Sequence, residues 1–373
     1  MKTILFTIFL TICLLDQAQA QVYANKVVGK KNEALLDSVK AKPYPYVLPI
    51  WGAKAAERGF QLPYSAGVSV NYFWQESDLI IDNLMVGFNN GPMYDLDEMI
   101  RFNDATSTAN SLNIRPDIWL FPFLNIYGIY VNAKTSTEIN AGMWLPDLDS
   151  TWSEVAGFST KAEFDAQGLG FGMTPTVGIG GGWLALDMNV LWTDVSALDK
   201  PVFTFVFGPR LGKTIQFKNP DMNLAGWVGG FRIKFSSETN GSINLTELFP
   251  ANELQAKVDQ GFAKVDQTAL DVENWWSGLT PLEQNQPSNK IKYETANKAI
   301  DAAGNALNAM DGALNDEQSA SVQYSLEKKV KDQWNFIVGT QFQINRHFMM
   351  RAEYGFLGSR QQFVGGLQYR FGL

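Results

Sequence analysis

The stretch QQFVGGLQYRFGL, residues 361–373, decides the fold. Every second position from Phe363 to Leu373 is apolar or glycine, whereas the positions between them include Gln362, Gln368 and Arg370. Successive side chains of a β-strand point to opposite faces, so this strand has one apolar face and one face that suits water. The pattern predicts a strand that separates an apolar phase from a polar interior.

The same stretch contains a Gly-x-x-Tyr-x-Phe pattern formed by Gly366, Tyr369 and Phe371. This pattern resembles the C-terminal signal by which bacterial outer-membrane barrels are recognised for insertion. The resemblance implies a location in the cell outer membrane, contact with outer-membrane lipid and recognition by the barrel-insertion machinery. We therefore interpret residues 361–373 as the closing strand of a transmembrane β-barrel.

The beginning of the chain predicts export. Lys2 precedes an apolar run, and Ala18-Gln19-Ala20 fits a small-residue cleavage site, so residues 1–20 predict a signal peptide. The only cysteine, Cys13, lies in that segment, which predicts neither disulfides nor a cysteine-ligated metal in the mature chain. The net charge of -8 disfavours nucleic acid as a partner. No later run of about 20 apolar residues predicts a membrane helix, but a closed barrel also satisfies every backbone group in lipid.

After an N-terminal periplasmic or plug segment at 21–64, with a short helix over 32–40, the period of two predicts a barrel over 65–373. The fold class is all-β and transmembrane, an antiparallel up-and-down β-barrel of about ten strands. The predicted strands are 66–76, 106–121, 126–134, 166–180, 184–194, 203–217, 223–236, 334–344, 348–357 and 361–373. Residues 80–88 either extend the first strand above the membrane or form a separate strand, and in the second case the even count becomes twelve. Residues 135–165 are polar enough to predict a loop.

Two strands have apolar residues that we expect to face lipid. They are Tyr127, Ile129, Val131 and Ala133 in one strand, and Ala225, Trp227, Phe231, Ile233 and Phe235 in the other.

Residues 243–333 interrupt the barrel with a helical period. Tyr293, Ala296, Ile300, Ala303, Leu307, Met310 and Leu314 follow one another at spacings of three and four. A second run begins at Leu254, and Val322, Leu326 and Val330 predict a third helix that leads back to the barrel. Barrel parity predicts that this helical insert is extracellular. The apolar stripe either binds a protein partner or packs the helices against one another.

Alternation also sends ionic side chains into the lumen. The candidate residues of this network are Arg115, Asp117, Asp187, Arg210, Arg232, Lys234, Arg351, Glu353 and Arg370. Six bases and three acids form either a constriction that favours anions or a set of ion pairs that ties the wall together. Among ion pairs, we expect Arg115 with Asp117, and Arg351 or Arg370 with Glu353.

The sequence gives little support to catalysis. The sole histidine, His347, lies at a turn predicted to face the periplasm, and no metal-binding or catalytic motif surrounds it. We expect no catalytic residues, no metal and no cofactor.

The barrel strands resemble a group of uncharacterised outer-membrane barrel proteins of Gram-negative bacteria. The resemblance rests on Trp334-Asn335 through Gly339, Arg351-Ala352-Glu353-Tyr354-Gly355-Phe356, Gly358-Ser359-Arg360, Tyr369-Arg370-Phe371-Gly372, Trp119 through Tyr127 and Trp192-Thr193-Asp194. It implies a porin-like fold and a location, but no activity. We expect a non-enzymatic narrow pore or transporter for small solutes. The alternatives are an adhesion scaffold that displays the acidic helical insert and, with least support, a lipid-modifying enzyme.

Overall fold

The computed structural model describes residues 25–26, 37, 44–97, 99–146, 152–196, 198–219, 221–235, 238–244, 251–315 and 321–373. The predicted signal peptide, the predicted helix at 32–40 apart from Asp37, and most of the segment before residue 44 lie outside the described residues. Strands and helices are numbered below in chain order within the described part.

The strands are β1 (Asn25–Lys26), β2 (Phe60–Gln61), β3 (Ala66–Phe88), β4 (Tyr94–Asp95), β5 (Ile100–Phe121), β6 (Leu124–Pro146), β7 (Trp152–Ile179), β8 (Gly182–Val195), β9 (Val202–Gln216), β10 (Asn223–Phe235), β11 (Glu238–Asn244), β12 (Ser321–Val330), β13 (Trp334–Gln343), β14 (Phe348–Phe356) and β15 (Arg360–Phe371). The helices are α1 (Gly52–Glu57), α2 (Ala251–Gly278), α3 (Pro281–Gln284) and α4 (Pro287–Leu314).

Ten of these strands close into an antiparallel barrel, as the sequence predicts. The order around the wall is β3, β5, β6, β7, β8, β9, β10, β13, β14 and β15, and β15 then pairs with β3 again. The closing contact runs from Phe371 opposite Ala66 to Arg360 opposite Ser77. Closure leaves no free strand edge in the wall, which is the condition for crossing lipid with strands.

The two ends of the barrel differ. At one end, here named the short-turn end, tight turns join neighbouring strands; the turn between β7 and β8 uses Gly180 (φ 56°) and Gly181 (φ 81°). Positive φ at both central residues suits the twist of a two-residue hairpin. At the other end, here named the long-strand end, β3, β5, β6 and β7 extend well beyond their neighbours and the helices pack.

At the long-strand end, one predicted alternative is confirmed and one prediction is wrong. Residues 80–88 extend the first strand and do not form a separate one, because β3 continues unbroken to Phe88 and contains Asn83 at φ 57°. Residues 135–165 are not mostly loop, because β6 and β7 pair from Leu124 and Pro175 up to Pro146 and Trp152. The polar Thr, Ser and Glu side chains of this hairpin do not prevent pairing, since its ladder hydrogen bonds come from the backbone.

The helical insert is a two-helix hairpin between strands. Helices α2 and α4 pack along each other, whereas Val322, Leu326 and Val330 lie in strand β12 and not in the predicted third helix. A spacing of four satisfies both a helical period and a period of two, and the free edge of β3 beyond Leu79 pairs with β12. None of the helices in the described part of the chain has the length and apolar character of a membrane span.

The outer face of the wall is apolar. Leu169 and Leu367 are 66% and 62% exposed, and their strand neighbours Phe171, Tyr369 and Phe371 are exposed on the same face. A closed barrel with such a band is stable only where lipid covers it, and the bacterial outer membrane is the bilayer that holds barrels of this kind. The protein is an integral barrel of the cell outer membrane.

Two strands have the opposite facing from that predicted. In β6, Tyr127 is buried and Ile129, Val131 and Ala133 line the lumen, while Ile126 and Tyr130 are exposed outside. In β10, Ala225 and Trp227 are buried, and Phe231, Ile233 and Phe235 line the lumen. Both strands have apolar residues on both faces, so alternation of polarity alone does not identify the lipid side.

The described part of the N-terminal segment lies at the short-turn end. The backbone N–H groups of Val47 and Leu48 donate to the carbonyl oxygen of Leu373 at 2.9 and 3.2 Å, and that of Ile50 donates to Leu120. No residue of 44–64 lines the lumen cavity. Whether the N-terminal segment is periplasmic or a plug stays a prediction.

Candidate lumen binding site

Charged side chains gather inside the barrel near the short-turn end. This group, here named the ionic layer, consists of Arg115, Asp117, Asp187, Arg210, Arg351, Glu353 and Arg370. The strands place them there because each is on an inward position within a few residues of a short turn or of the chain end. The sequence predicts all seven as lumen residues.

Arg210 is the centre of the ionic layer. Its Nε and Nη2 donate to Glu353 Oε2 and Oε1 at 2.8 and 3.1 Å, and its Nη1 donates to Asp187 Oδ2 at 3.1 Å. Trp227 Nε1 donates to Glu353 Oε2 at 2.7 Å. Such a two-pronged contact fixes both partners more firmly than a single hydrogen bond does. The pairs join β8, β9 and β14 across the lumen.

Asp117 and Arg370 form a second buried pair. Arg370 Nη2 lies 3.0 Å from Asp117 Oδ1, and Asn125 and Gln368 donate to the same carboxylate at 2.8 and 2.6 Å. Arg370 Nε also donates to the carbonyl oxygen of Tyr64 at 3.0 Å. The closing strand is thereby tied both to β5 and to the N-terminal segment.

The remaining arginines complete the layer. Arg351 Nη2 is 3.1 Å from Glu353 Oε2, which is one of the predicted pairs. The predicted pair of Arg115 with Asp117 is replaced: the guanidinium of Arg115 lies 3.3 Å from the ring centre of Tyr127, whose hydroxyl donates to Asp187. Asp117 forms an ion pair with Arg370 instead, because the closing strand lies on the other side of β3 from β5.

Arg232 and Lys234 do not join the ionic layer, so their predicted inward orientation is wrong. Their neighbours Phe231 and Ile233 line the lumen, which turns Lys234 outward and exposed. Arg232 Nε and Nη2 donate to Gln333 Oε1 at 3.2 and 2.9 Å near the long-strand end. The prediction fails for the same reason as the facing of β10: both faces of that strand contain apolar residues.

A cavity of about 790 Å³ extends from the ionic layer towards the long-strand end. Its wall is mostly apolar, which sequence reasoning missed. Lining residues from several strands include Leu79, Ile81, Ile129, Val131, Leu191, Val206, Phe231 and Ile233. The signal for this wall was present in β3, where the inward series is polar except for Phe73 up to Ser77 and then continues with Leu79 and Ile81.

The helical hairpin covers the long-strand end of the cavity. Val258 of α2 and Leu307 and Met310 of α4 line it directly. The hairpin's apolar stripe packs on Leu84, Ile100 and other residues of the extended strands in one buried cluster. The cavity therefore has the ionic layer in its wall near the short-turn end and the helices at the other end.

Lys328 interrupts the apolar part of the wall. Lys328 of β12 points into the lumen between Leu326 and Val330, and its Nζ donates to Thr137 Oγ1 of β6 at 3.1 Å. Its outward neighbour Lys329 pairs instead with Asp82 at 2.8 Å on the surface.

His347 lies at the short-turn end outside the cavity lining. Its ring is 4.7 Å from the ring of Tyr64 and 5.5 Å from that of Tyr369, and its Nδ1 is 2.8 Å from the carbonyl oxygen of Arg370. These contacts serve packing at the rim. Gly366, Tyr369 and Phe371 lie nearby on β15, where their role as an insertion signal stays a prediction.

No protein-family model and no curated protein matches the sequence. Solved structures with the same kind of fold include the β-domain of the Bordetella autotransporter BrkA (8% identity, TM-score 0.31, 82% of this chain and 100% of that chain). They also include the translocator domain of the autotransporter NalP from Neisseria meningitidis (8%, 0.27, 92% and 94%) and a Pseudomonas aeruginosa FadL homologue (8%, 0.27, 82% and 90%). At this level the likeness concerns the barrel fold alone.

Proposed function

We propose that this barrel is a non-enzymatic transporter that binds small, largely apolar solutes in its lumen. The observation that supports the proposal most directly is the apolar wall of the cavity between the ionic layer and the helical hairpin. A cavity of about 790 Å³ falls within the range of roughly 300–1,000 Å³ that small-molecule sites occupy. An aqueous ion channel needs a polar wall instead, because ions lose hydration energy beside aliphatic side chains.

The ionic layer fits this proposal better than it fits an anion filter. Arg210, Arg351 and Arg370 each lie about 3 Å from a carboxylate, and the fourth arginine of the layer, Arg115, packs on the ring of Tyr127. Arginines that are held by carboxylates or by an aromatic ring are less available to a passing anion, and the pairs link strands of the wall. With short turns in the periplasm, as in other bacterial barrels, the hairpin covers the extracellular mouth. A solute then enters beside the hairpin and leaves when the ionic layer rearranges.

The test is equilibrium binding of radiolabelled dodecanol to the protein in phosphatidylcholine nanodiscs, measured against empty nanodiscs. We expect one saturable site per barrel. Ala133 lines the middle of the cavity, so Ala133→Trp fills the space and lowers the affinity at least ten-fold. Ala109→Trp, on the neighbouring strand, serves as a second filling variant.

The matched control is Ala352→Trp, at a position of β14 that does not line the cavity. Its affinity for dodecanol should equal that of the unmodified protein. Binding that never saturates, or that survives both filling variants in folded protein, contradicts the proposal.

Display of the hairpin to a protein partner is the second candidate function. Leu282 and Ile291, near the connection between α2 and α4, are 79% and 63% exposed, which favours a contact outside the barrel. Replacing 251–314 by a short Gly-Ser linker separates the two functions. A transporter then loses the helices that cover its cavity and binds dodecanol more weakly. A display protein keeps its dodecanol affinity and loses the partner.

A further inference from the structure

Lys328 faces the apolar lining at the long-strand end of the cavity. Its strand neighbours Leu326 and Val330 belong to an apolar cluster with Leu79 and Ile81. The side chain keeps partial exposure, and that exposure is to the cavity, since Lys328 is one of its lining residues. The ammonium group therefore lies against the space that a solute would occupy.

Nothing in the described part of the chain supplies a counter-charge. Lys328 has a hydrogen bond to Thr137 Oγ1 and forms no ion pair with any described carboxylate. The other ionisable side chains that line this end of the cavity are Lys257 and Tyr324, and neither is an acid that is charged at neutral pH.

The carboxylates that line the cavity belong to the ionic layer, far from Lys328. Lys328 lies opposite Ile81 on β3, whereas the ionic layer is level with Ser69. At about 3.3 Å per residue, these two positions are roughly 40 Å apart along the strand, or about 30 Å along a barrel axis to which strands tilt by 35–45°. A cavity of this length suits an extended hydrocarbon chain.

An ammonium group in apolar surroundings is costly unless an anion or further hydrogen bonds accompany it. The desolvation of the group lowers the pKa of Lys328 to about 8. At neutral pH the lysine is still mostly protonated, so two of its three N–H groups remain available to a ligand.

We propose that the ligand is a single-chain carboxylate amphiphile, with its head group at Lys328 Nζ and Thr137 Oγ1 and its chain along the aliphatic wall towards the ionic layer. This inference deepens the proposed function and rests on it. Lys328 selects the anionic head, whereas residues such as Leu79 and Ile129 accept the chain without regard to the head.

The experiment compares dodecanoate with dodecanol, two probes with the same chain length and different head groups, in nanodiscs at pH 7. We expect the unmodified protein to bind dodecanoate at least ten-fold more tightly than dodecanol. Lys328→Met removes that preference while keeping dodecanol affinity within about two-fold, and Lys328→Arg retains the preference. Lys329→Met, at the adjacent outward position, is the matched control and leaves both affinities unchanged.

Each outcome has a distinct meaning. Equal affinity for the two probes in the unmodified protein overturns this inference and leaves the proposed function intact. Saturable binding of neither probe overturns the proposed function itself. A dodecanoate preference that persists in Lys328→Met places the anion elsewhere and overturns the role of this lysine. Retained dodecanol binding shows that a variant is folded; should Lys328→Met not fold, the comparison of the two probes on the unmodified protein still decides.

Discussion

The half of the lumen next to the short turns contains the buried charged side chains, whereas the half next to the helices has mostly aliphatic walls. In the first half, buried arginines and carboxylates satisfy one another across strands that are distant in sequence. In the second half, the strands extend beyond the common wall and a helical hairpin supplies the missing cover. The contrast shows that ion pairs between strands stabilise one end of the barrel, whereas the other end has the apolar surface that a bound solute needs.

The largest expected effect on stability comes from removing a charge from the ionic layer. Glu353→Gln leaves Arg210 and Arg351 buried without their common carboxylate, so we expect a loss of about 3–5 kcal/mol in the free energy of unfolding. Urea unfolding of the barrel in lipid vesicles, followed by gel mobility without boiling, measures the loss.

The matched control is Asp221→Asn at the short-turn rim. Asp221 pairs with Arg346 at 3.0 Å, but both side chains are about half exposed, so this pair contributes less than about 1 kcal/mol. Equal losses in the two variants would mean that the ionic layer does not brace the wall.

A smaller effect on stability is expected in the helical hairpin of α2 and α4. Leu307 is buried but borders the cavity, so Leu307→Ala costs about 2–3 kcal/mol, the low end for such a truncation. We expect this loss to loosen the hairpin and not the wall. Limited proteolysis between α2 and α4 should accelerate about 30-fold or more, while the gel mobility of the unboiled barrel stays the same.

Leu282→Ala is the control for the helical hairpin, because Leu282 is exposed and belongs to no buried cluster of the described residues. Its proteolysis rate should match that of the unmodified protein. A barrel that unfolds together with the hairpin in Leu307→Ala would show that the two halves are one cooperative unit.

The smallest effect concerns pH. The pKa of Lys328 in the folded protein is lowered to about 8, so its ammonium form falls from about nine-tenths at pH 7 to about one-tenth at pH 9. We expect the affinity for dodecanesulfonate, an anion throughout this range, to fall up to about ten-fold, or about 1.4 kcal/mol. Dodecanol affinity should not change, and a pH-independent sulfonate affinity would remove Lys328 from the head-group site.

The sequence predicts which face of a strand points to the lumen where one face is polar and the other apolar. In β15 and β14, Gln, Arg and Glu alternate with Phe, Tyr and Met, so both the strands and their facing follow from polarity. The inward orientation of the seven residues in the ionic layer could be predicted for the same reason. The pairings among them depend on which strands become neighbours at closure, and that information is not in local periodicity.

The sequence was insufficient where both faces are apolar. Ile129 and Phe231 line the lumen and were assigned to lipid, because an apolar cavity wall and a lipid-facing wall select the same side chains. Strand β12 was assigned to a helix, because Val322, Leu326 and Val330 fit either period and only the available edge of β3 distinguishes them. The cavity and Lys328 were missed together as a consequence.

The placement of the insert has a consequence for how such a protein can diversify. Strands β10 and β13 pair directly, from Asn223 opposite Gln343 to Arg232 opposite Trp334, although residues 236–333 separate them in the chain. The helical hairpin, β11, β12 and Lys328 thus belong to one continuous segment of the chain, and the two ends of this segment join neighbouring strands. A single recombination event can exchange the whole insert, including the lysine proposed to select the ligand, while the ten-stranded wall keeps its register.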